Sequence, residues 1–161
     1  MQLSRVPNPG SVNIEGTTGS NADLINGIYE LTEEMCDGLP AYKRIGSRNE
    51  MWMEFNSSLS KWMVRQAASR GSNKAYAYCP TRGVCLPHEC PVGTWQIWSN
   101  NVFECQRSVV LALISPLPRH VEAFFEDIRS KEQLEVLLLC VLLFTSSCTV
   151  PLYYLLLIIP H

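Results

Sequence analysis

Between Ser11 and Cys105 the chain is built from short apolar runs rich in Tyr, Trp, Val and Met, each closed by Gly, Pro, Asn, Asp or Ser. No segment before residue 118 sustains the 3.6-residue period of an amphipathic helix. About seven or eight such runs, spaced by roughly ten residues, predict an antiparallel all-β domain over 11–111, a small meander of barrel or sandwich type. Aromatic rings bury large areas each, so a domain of this size can hold a core without metal or disulfides.

Ser11–Glu15 reads as the first strand, and the Gly- and Thr-rich EGTTGSNAD as the loop after it. NGIYELT follows, then a turn at Cys36–Pro40 and a strand over Ala41–Ile45. In EMWMEFNSSLSKWMVRQ the runs 51–55 and 61–65 flank NSSLS, which predicts a hairpin with a five-residue loop. Side chains two apart share a face, so Trp62 and Val64 point one way and Met63 and Arg65 the other. KAYAYC (74–79) is a further strand, and TWQIW (94–98) with VFECQ (102–106) forms a second hairpin through Ser99-Asn100-Asn101. The expected core is Tyr29, Tyr42, Trp52, Trp62, Tyr78, Trp95 and Phe103.

The succession Asn26-Gly27-Ile28-Tyr29-Glu30, Gly38-Leu39-Pro40-Ala41-Tyr42, Trp52-Met53-Glu54, Trp62-Met63-Val64, Ala75-Tyr76-Ala77-Tyr78 and Gly93-Thr94-Trp95-Gln96-Ile97-Trp98 before Phe103 resembles an aromatic-rich β module of predicted proteins in unicellular eukaryotes. The similarity covers residues 11 to 110, with Asp37 where the pattern has Asn. It implies a module found in tandem or beside other domains. No activity and no functional residue come with it.

Over Ser11 to Leu111 nine Lys/Arg are interspersed with ten Asp/Glu, so no basic face is offered to a phosphate backbone and nucleic acid is not an expected partner. The leader, residues 1–10, has no apolar core, and Pro7 and Pro9 would break one, so no signal peptide is expected. The domain is then expected in the cytosol with its seven cysteines mostly reduced, and the sequon Asn56-Ser57-Ser58 without a glycan.

Reactive residues are few. Cys79, Cys85, His88 and Cys90 fall together in CPTRGVCLPHEC, but Cys-x5-Cys-x2-His-x-Cys is not a usual zinc pattern, and no metal or cofactor is expected. Cys85 with His88 is the only candidate reactive pair and defines the alternative reading, a soluble enzyme or soluble interaction module. Nothing in the sequence orients that imidazole, so no catalytic residue is assigned. GTTGS (16–20) lacks the Lys-Ser/Thr of a phosphate loop, and Glu30, Glu33, Glu34 and Asp37 lack calcium spacing. Trp95 and Trp98, three apart in a strand, must face opposite sides, so one of them is partly exposed and is the best candidate for contact with a protein or small-molecule ligand.

From Pro118 the pattern changes. Apolar residues at 121, 124, 125 and 128 predict an amphipathic juxtamembrane helix over 118–135, which runs into the uncharged stretch 136–159. As a helix that stretch would extend about 36 Å, long enough for a transmembrane span, kinked near Pro151. Arg119, Arg129 and Lys131 on its N-terminal side would leave the β domain facing the cytosol. The alternatives are a helix covered by protein, and translated sequence beyond the module's boundary. The expected protein is thus a non-enzymatic binding module, tail-anchored to a membrane through residues 136–159.

Overall fold

The computed structural model describes residues 10–83 and 85–147. The chain divides into two compact units, one ending at Phe125 and the other beginning at Glu126. The first is mainly β, with strands β1 (Val12–Glu15), β2 (Gly27–Cys36), β3 (Leu39–Arg44), β4 (Met51–Asn56), β5 (Lys61–Gln66), β6 (Ala77–Pro80), β7 (Gln96–Ser99), β8 (Val102–Cys105) and β9 (Val110–Leu113). A short helix α1 (Ala22–Ile25) follows β1, and the C-terminal helix α2 spans Arg119–Ser147.

All nine strands form one antiparallel sheet in the order β8-β7-β6-β5-β4-β3-β2-β1-β9, curled into a half-barrel as the meander reading expects. The edge strands β8 and β9 are consecutive in the chain, so their short link ties the two edges of the sheet together. The loop between β1 and α1 reaches to the same corner. Ser108 Oγ donates to Gly16 O (2.8 Å), Thr18 N to Gln106 Oε1 (2.8 Å) and Asn21 Nδ2 to Trp98 O (2.6 Å). Gly16 has φ +84° with the Ser108 carbonyl where a Cβ would sit, so only glycine fits this approach.

Two hairpins turn on residues with positive φ: Asp37 and Gly38 between β2 and β3, Asn100 and Asn101 between β7 and β8. Such two-residue turns carry the twist that hairpin strands need. The second is one residue shorter than the predicted Ser99-Asn100-Asn101 link, because Ser99 pairs with Val102.

The β4–β5 loop is also shorter than predicted, and here the difference decides which side chains share a face. A five-residue loop would set Trp52 opposite Val64, on the face of Trp62. Asn56 instead pairs with Lys61, leaving four residues, so Phe55 lies opposite Trp62 and Trp52 opposite Arg65. A one-residue change of register sends a side chain to the other face. The inner face thus carries Met51, Met53, Phe55, Trp62 and Val64, joined by Tyr42, Ala77, Cys79 and Ile97. Tyr42 and Phe55 meet Trp62 edge-on, with centroids 5.9 and 5.6 Å away. Trp52, Glu54, Met63 and Arg65 are buried on the outer face. Of the expected core, Tyr29, Tyr42, Trp52, Trp62 and Trp95 are buried, whereas Tyr78 and Phe103 are half-buried on the outer face.

Helix α2 begins where predicted, with Val121 N and Glu122 N both donating to Pro118 O. Its first turns carry Val121 and Phe125, both buried. Farther on Leu134, Val136, Leu137, Leu138, Leu139, Leu142 and Leu143 are exposed. No helix among the described residues is long and apolar enough to cross a membrane. The helix is charged up to Glu135, and its uncharged part to Ser147 rises only about 18 Å, against about 30 Å of hydrocarbon. This corrects the expected transmembrane helix, the tail anchor and the membrane localisation that rested on them. Residues 148–159 and the kink at Pro151 lie outside the described residues.

Candidate functional site

The outer face of β4 and β5 is built around charge. Arg65 and Glu54 are each 1% exposed, with Arg65 Nε 3.7 Å from Glu54 Oε2. Burial pushes the Arg65 guanidinium's pKa down, and the Glu54 carboxylate opposes that shift. Arg65 also donates through Nη1 to the carbonyls of Ser69 and Ser72, and through Nη2 to Met63 Sδ (2.7 Å). Those two carbonyls belong to the loop after β5, which turns through a 3-10 segment at Ala67–Ser69.

Arg70 fastens the same loop from its far side. Its Nε donates to Glu54 Oε1 (2.5 Å), its Nη1 to Glu34 Oε2 (2.6 Å), and its guanidinium lies 3.7 Å from the Trp52 ring centroid. Burial works against the charge of Arg70, but the bonds it donates to Glu34 and Glu54 prevail and raise its pKa. Trp52 is completed by Glu50, which accepts from its Nε1 (3.3 Å) and from Lys43 (2.6 Å). The expected acidic patch is therefore divided: Glu34 holds Arg70, and Asp37 Oδ2 accepts from Ser57 N (2.9 Å). Asn56 of the sequon accepts from Leu59 N (3.0 Å) and Ser58 Oγ (2.8 Å), which shapes the β4–β5 turn.

Between this loop and strands β6 to β8 runs a groove of about 440 Å³, lined by Arg65, Gln66, Ser69, Asn73, Lys74, Ala75, Tyr76, Trp98 and Phe103. Its aromatic wall follows from strand register. Trp98 pairs across β7–β8 with Phe103, their centroids 4.9 Å apart, and Tyr78 meets Phe103 edge-on at 4.7 Å. Lys61 Nζ sits 4.0 Å from the Tyr78 ring centroid and extends the row. Trp98 is half-buried and lines the groove; Trp95, just before β7, is 1% exposed and lies in the core. The alternation argument found Trp98. The amide and hydroxyl rim from Gln66, Ser69 and Asn73 was missed, because only tertiary contacts bring residues 66–74 to β7. A second groove, about 600 Å³ and lined by Leu31, Met35, Pro40, Val121 and Phe124 among others, lies over the bulge of β2.

The Cys/His loop is drawn together by a 3-10 turn at Pro87–Glu89, where Leu86 N donates to Glu89 Oε2 (2.8 Å). Cys79 and Cys90 are buried and Cys85 and His88 half-buried; the neighbouring Cys79 and Cys85 thiols, together with burial, push the Cys90 thiol's pKa up. Among the described residues no group of three or more His, Cys, Asp or Glu is arranged to hold a metal ion. The carbonyl of Cys85 accepts from Trp62 Nε1 (2.9 Å), which ties this loop to the inner face.

A mainly β fold with one polar-rimmed aromatic groove defines the class of object. The chain matches no family model, no curated protein and no solved structure.

Proposed function

We propose that this is a non-enzymatic binding module whose contact surface is the groove between the 66–74 loop and strands β6 to β8. The observation that carries the reading is the contrast among the four tryptophans. Trp52, Trp62 and Trp95 are buried, while Trp98 is half-buried and lines a groove within the size range of small-ligand sites. Trp98 and Phe103 supply a flat apolar surface; Gln66, Ser69 and Asn73 supply donors and acceptors at its rim, and Lys74 a cation. That combination suits a small ligand with one flat, weakly polar face and a polar edge, of which a sugar ring is the plainest example. The aromatic-rich β module that the sequence resembles carries no activity to set against this reading.

Titration of the full chain with a panel of neutral and acidic oligosaccharides, followed by tryptophan fluorescence and calorimetry, tests it. Saturable binding by at least one compound is expected, weakened at least tenfold by Trp98→Ala and hardly affected by Lys131→Ala on α2. Absence of binding across the panel, or binding that survives Trp98→Ala, overturns the assignment.

A further inference from the structure

We propose that the ligand of the Trp98 groove is a linear acidic oligosaccharide, carboxylated or sulfated, lying across strands β5 to β8 with one anionic group at Lys74 and another at Lys61. The inference rests on the groove being the contact surface and adds the ligand's length and charge. It starts from the lysines. The chain has four, and two are neutralised by carboxylates, Lys43 by Glu50 at 2.6 Å and Lys131 by Asp127 at 2.5 Å. Lys61 and Lys74 form no ion pair among the described residues, and both stand beside the aromatic rings of the outer face.

Those rings continue past the groove as a row. Trp98 of β7 meets Phe103 of β8, Phe103 meets Tyr78 of β6, and Lys61 of β5 holds its Nζ 4.0 Å from the Tyr78 ring centroid. The row therefore crosses four neighbouring strands, a distance of about 14 Å at about 4.8 Å per step. That is longer than one sugar ring and suits a short chain of them. Lys74 lies toward the other end, in the groove with Trp98 and Phe103.

The charge along the row has one sign. Strands β6 to β8 carry a single carboxylate, Glu104; its partner across β7–β8 is the core residue Ile97, so it points to the opposite side of the sheet from Trp98 and Phe103. Glu54, on the outer face of β4, is occupied by Arg65 and Arg70. Two ammonium groups with no carboxylate between them attract anions locally, whereas the net charge of −2 gives the whole chain no general attraction for a polyanion. Lysine acts as a compact point charge, so carboxylate and sulfate groups both suit it. Gln66, Ser69 and Asn73 offer the amide and hydroxyl partners that sugar hydroxyls need.

The test is calorimetric titration of the full chain with three series, each from disaccharide to hexasaccharide: oligogalacturonates, carrageenan oligosaccharides as the sulfated arm, and neutral cello-oligosaccharides. Affinity for at least one acidic series should exceed that for the neutral one, rise about tenfold with length and fall with added salt. Lys61→Gln should weaken the acidic hexasaccharide about fivefold and leave the disaccharide unchanged, and Lys61→Arg should restore it. Lys74→Gln should weaken both lengths, and Lys131→Ala neither. Neutral sugars bound as tightly as acidic ones, no gain with length, or hexasaccharide binding indifferent to Lys61→Gln overturns the inference; the groove reading survives each of these if Trp98→Ala still abolishes binding. Absence of binding in all three series removes the groove reading and this inference together. Tighter binding of hexathymidylate than of any sugar assigns the row to single-stranded nucleic acid and overturns the inference as well.

Discussion

The two faces of the β4–β5 hairpin are equally buried and are buried by opposite means. On the inner face Met51, Met53, Phe55, Trp62 and Val64 pack against Tyr42 and Ile97, with no charged group on the hairpin itself. On the outer face Glu54 and Arg65 are as inaccessible as any of those, yet they are covered by a loop that they themselves hold in place. Inner burial depends on volume and area, which many side chains can supply. Outer burial depends on geometry, because a buried charge offsets its desolvation only while its partner stays in position. The groove at Trp98 lies on the second face. A surface assembled from ion pairs and a loop can be opened to a ligand without emptying the core.

The largest effect expected from breaking this contrast is on the inner side. Trp62→Ala removes the ring that Tyr42 and Phe55 pack against and the donor to Cys85 O, and should cost about 3–5 kcal/mol, read as a lower urea midpoint at unchanged slope. Against a typical total of about 5–15 kcal/mol, that unfolds much of the protein at moderate temperature. Next is Arg65→Met, which keeps the bulk but leaves Glu54 with Arg70 alone, and should cost about 3 kcal/mol. The variant Arg65→Met/Glu54→Gln should cost less than the sum of its parts by at least about 1 kcal/mol, since charges in contact couple. Strict additivity would mean that packing alone holds the outer face and that the contrast is false.

The sequence shows the two faces unequally, for a physical reason. Alternation within a strand is a local property, so the meander, both hairpins and the opposite orientation of Met63 and Arg65 to Trp62 and Val64 can be read from neighbouring residues. Strand β9 is not among the predicted strands, because VLAL (110–113) stands beside Pro-containing sequence and has little alternation of its own. The position of Trp52 turned on a loop of four residues instead of five, a difference set by the Asn56 cap on the turn. Nothing local marks Glu54 as buried, because its cover comes from Arg70 and that arginine is held in turn by Glu34, 36 residues away. Trp98 was legible by parity, whereas the polar side of its groove was not.

The smallest effect lies at the rim of the outer face, where Lys43 and Glu50 are each about half exposed. The hydrogen bond from Lys43 holds the Glu50 carboxyl below its ordinary pKa, helped by the charges of Lys43 and Arg70 and by Trp52 Nε1. A carboxyl depressed by folding stabilises the native state above its unfolded pKa, near 4.3, and that contribution is lost as pH falls through the lower native value. Because water and salt screen an exposed pair, the loss should be slight and should shrink further at high ionic strength. Lys43→Met should return Glu50 to the ordinary glutamate range in an NMR titration while hardly moving the urea midpoint at pH 7. A midpoint shift as large as that of Arg65→Met would place the rim pair on a par with the buried one, and the distinction between covered and exposed charge on this face would fail.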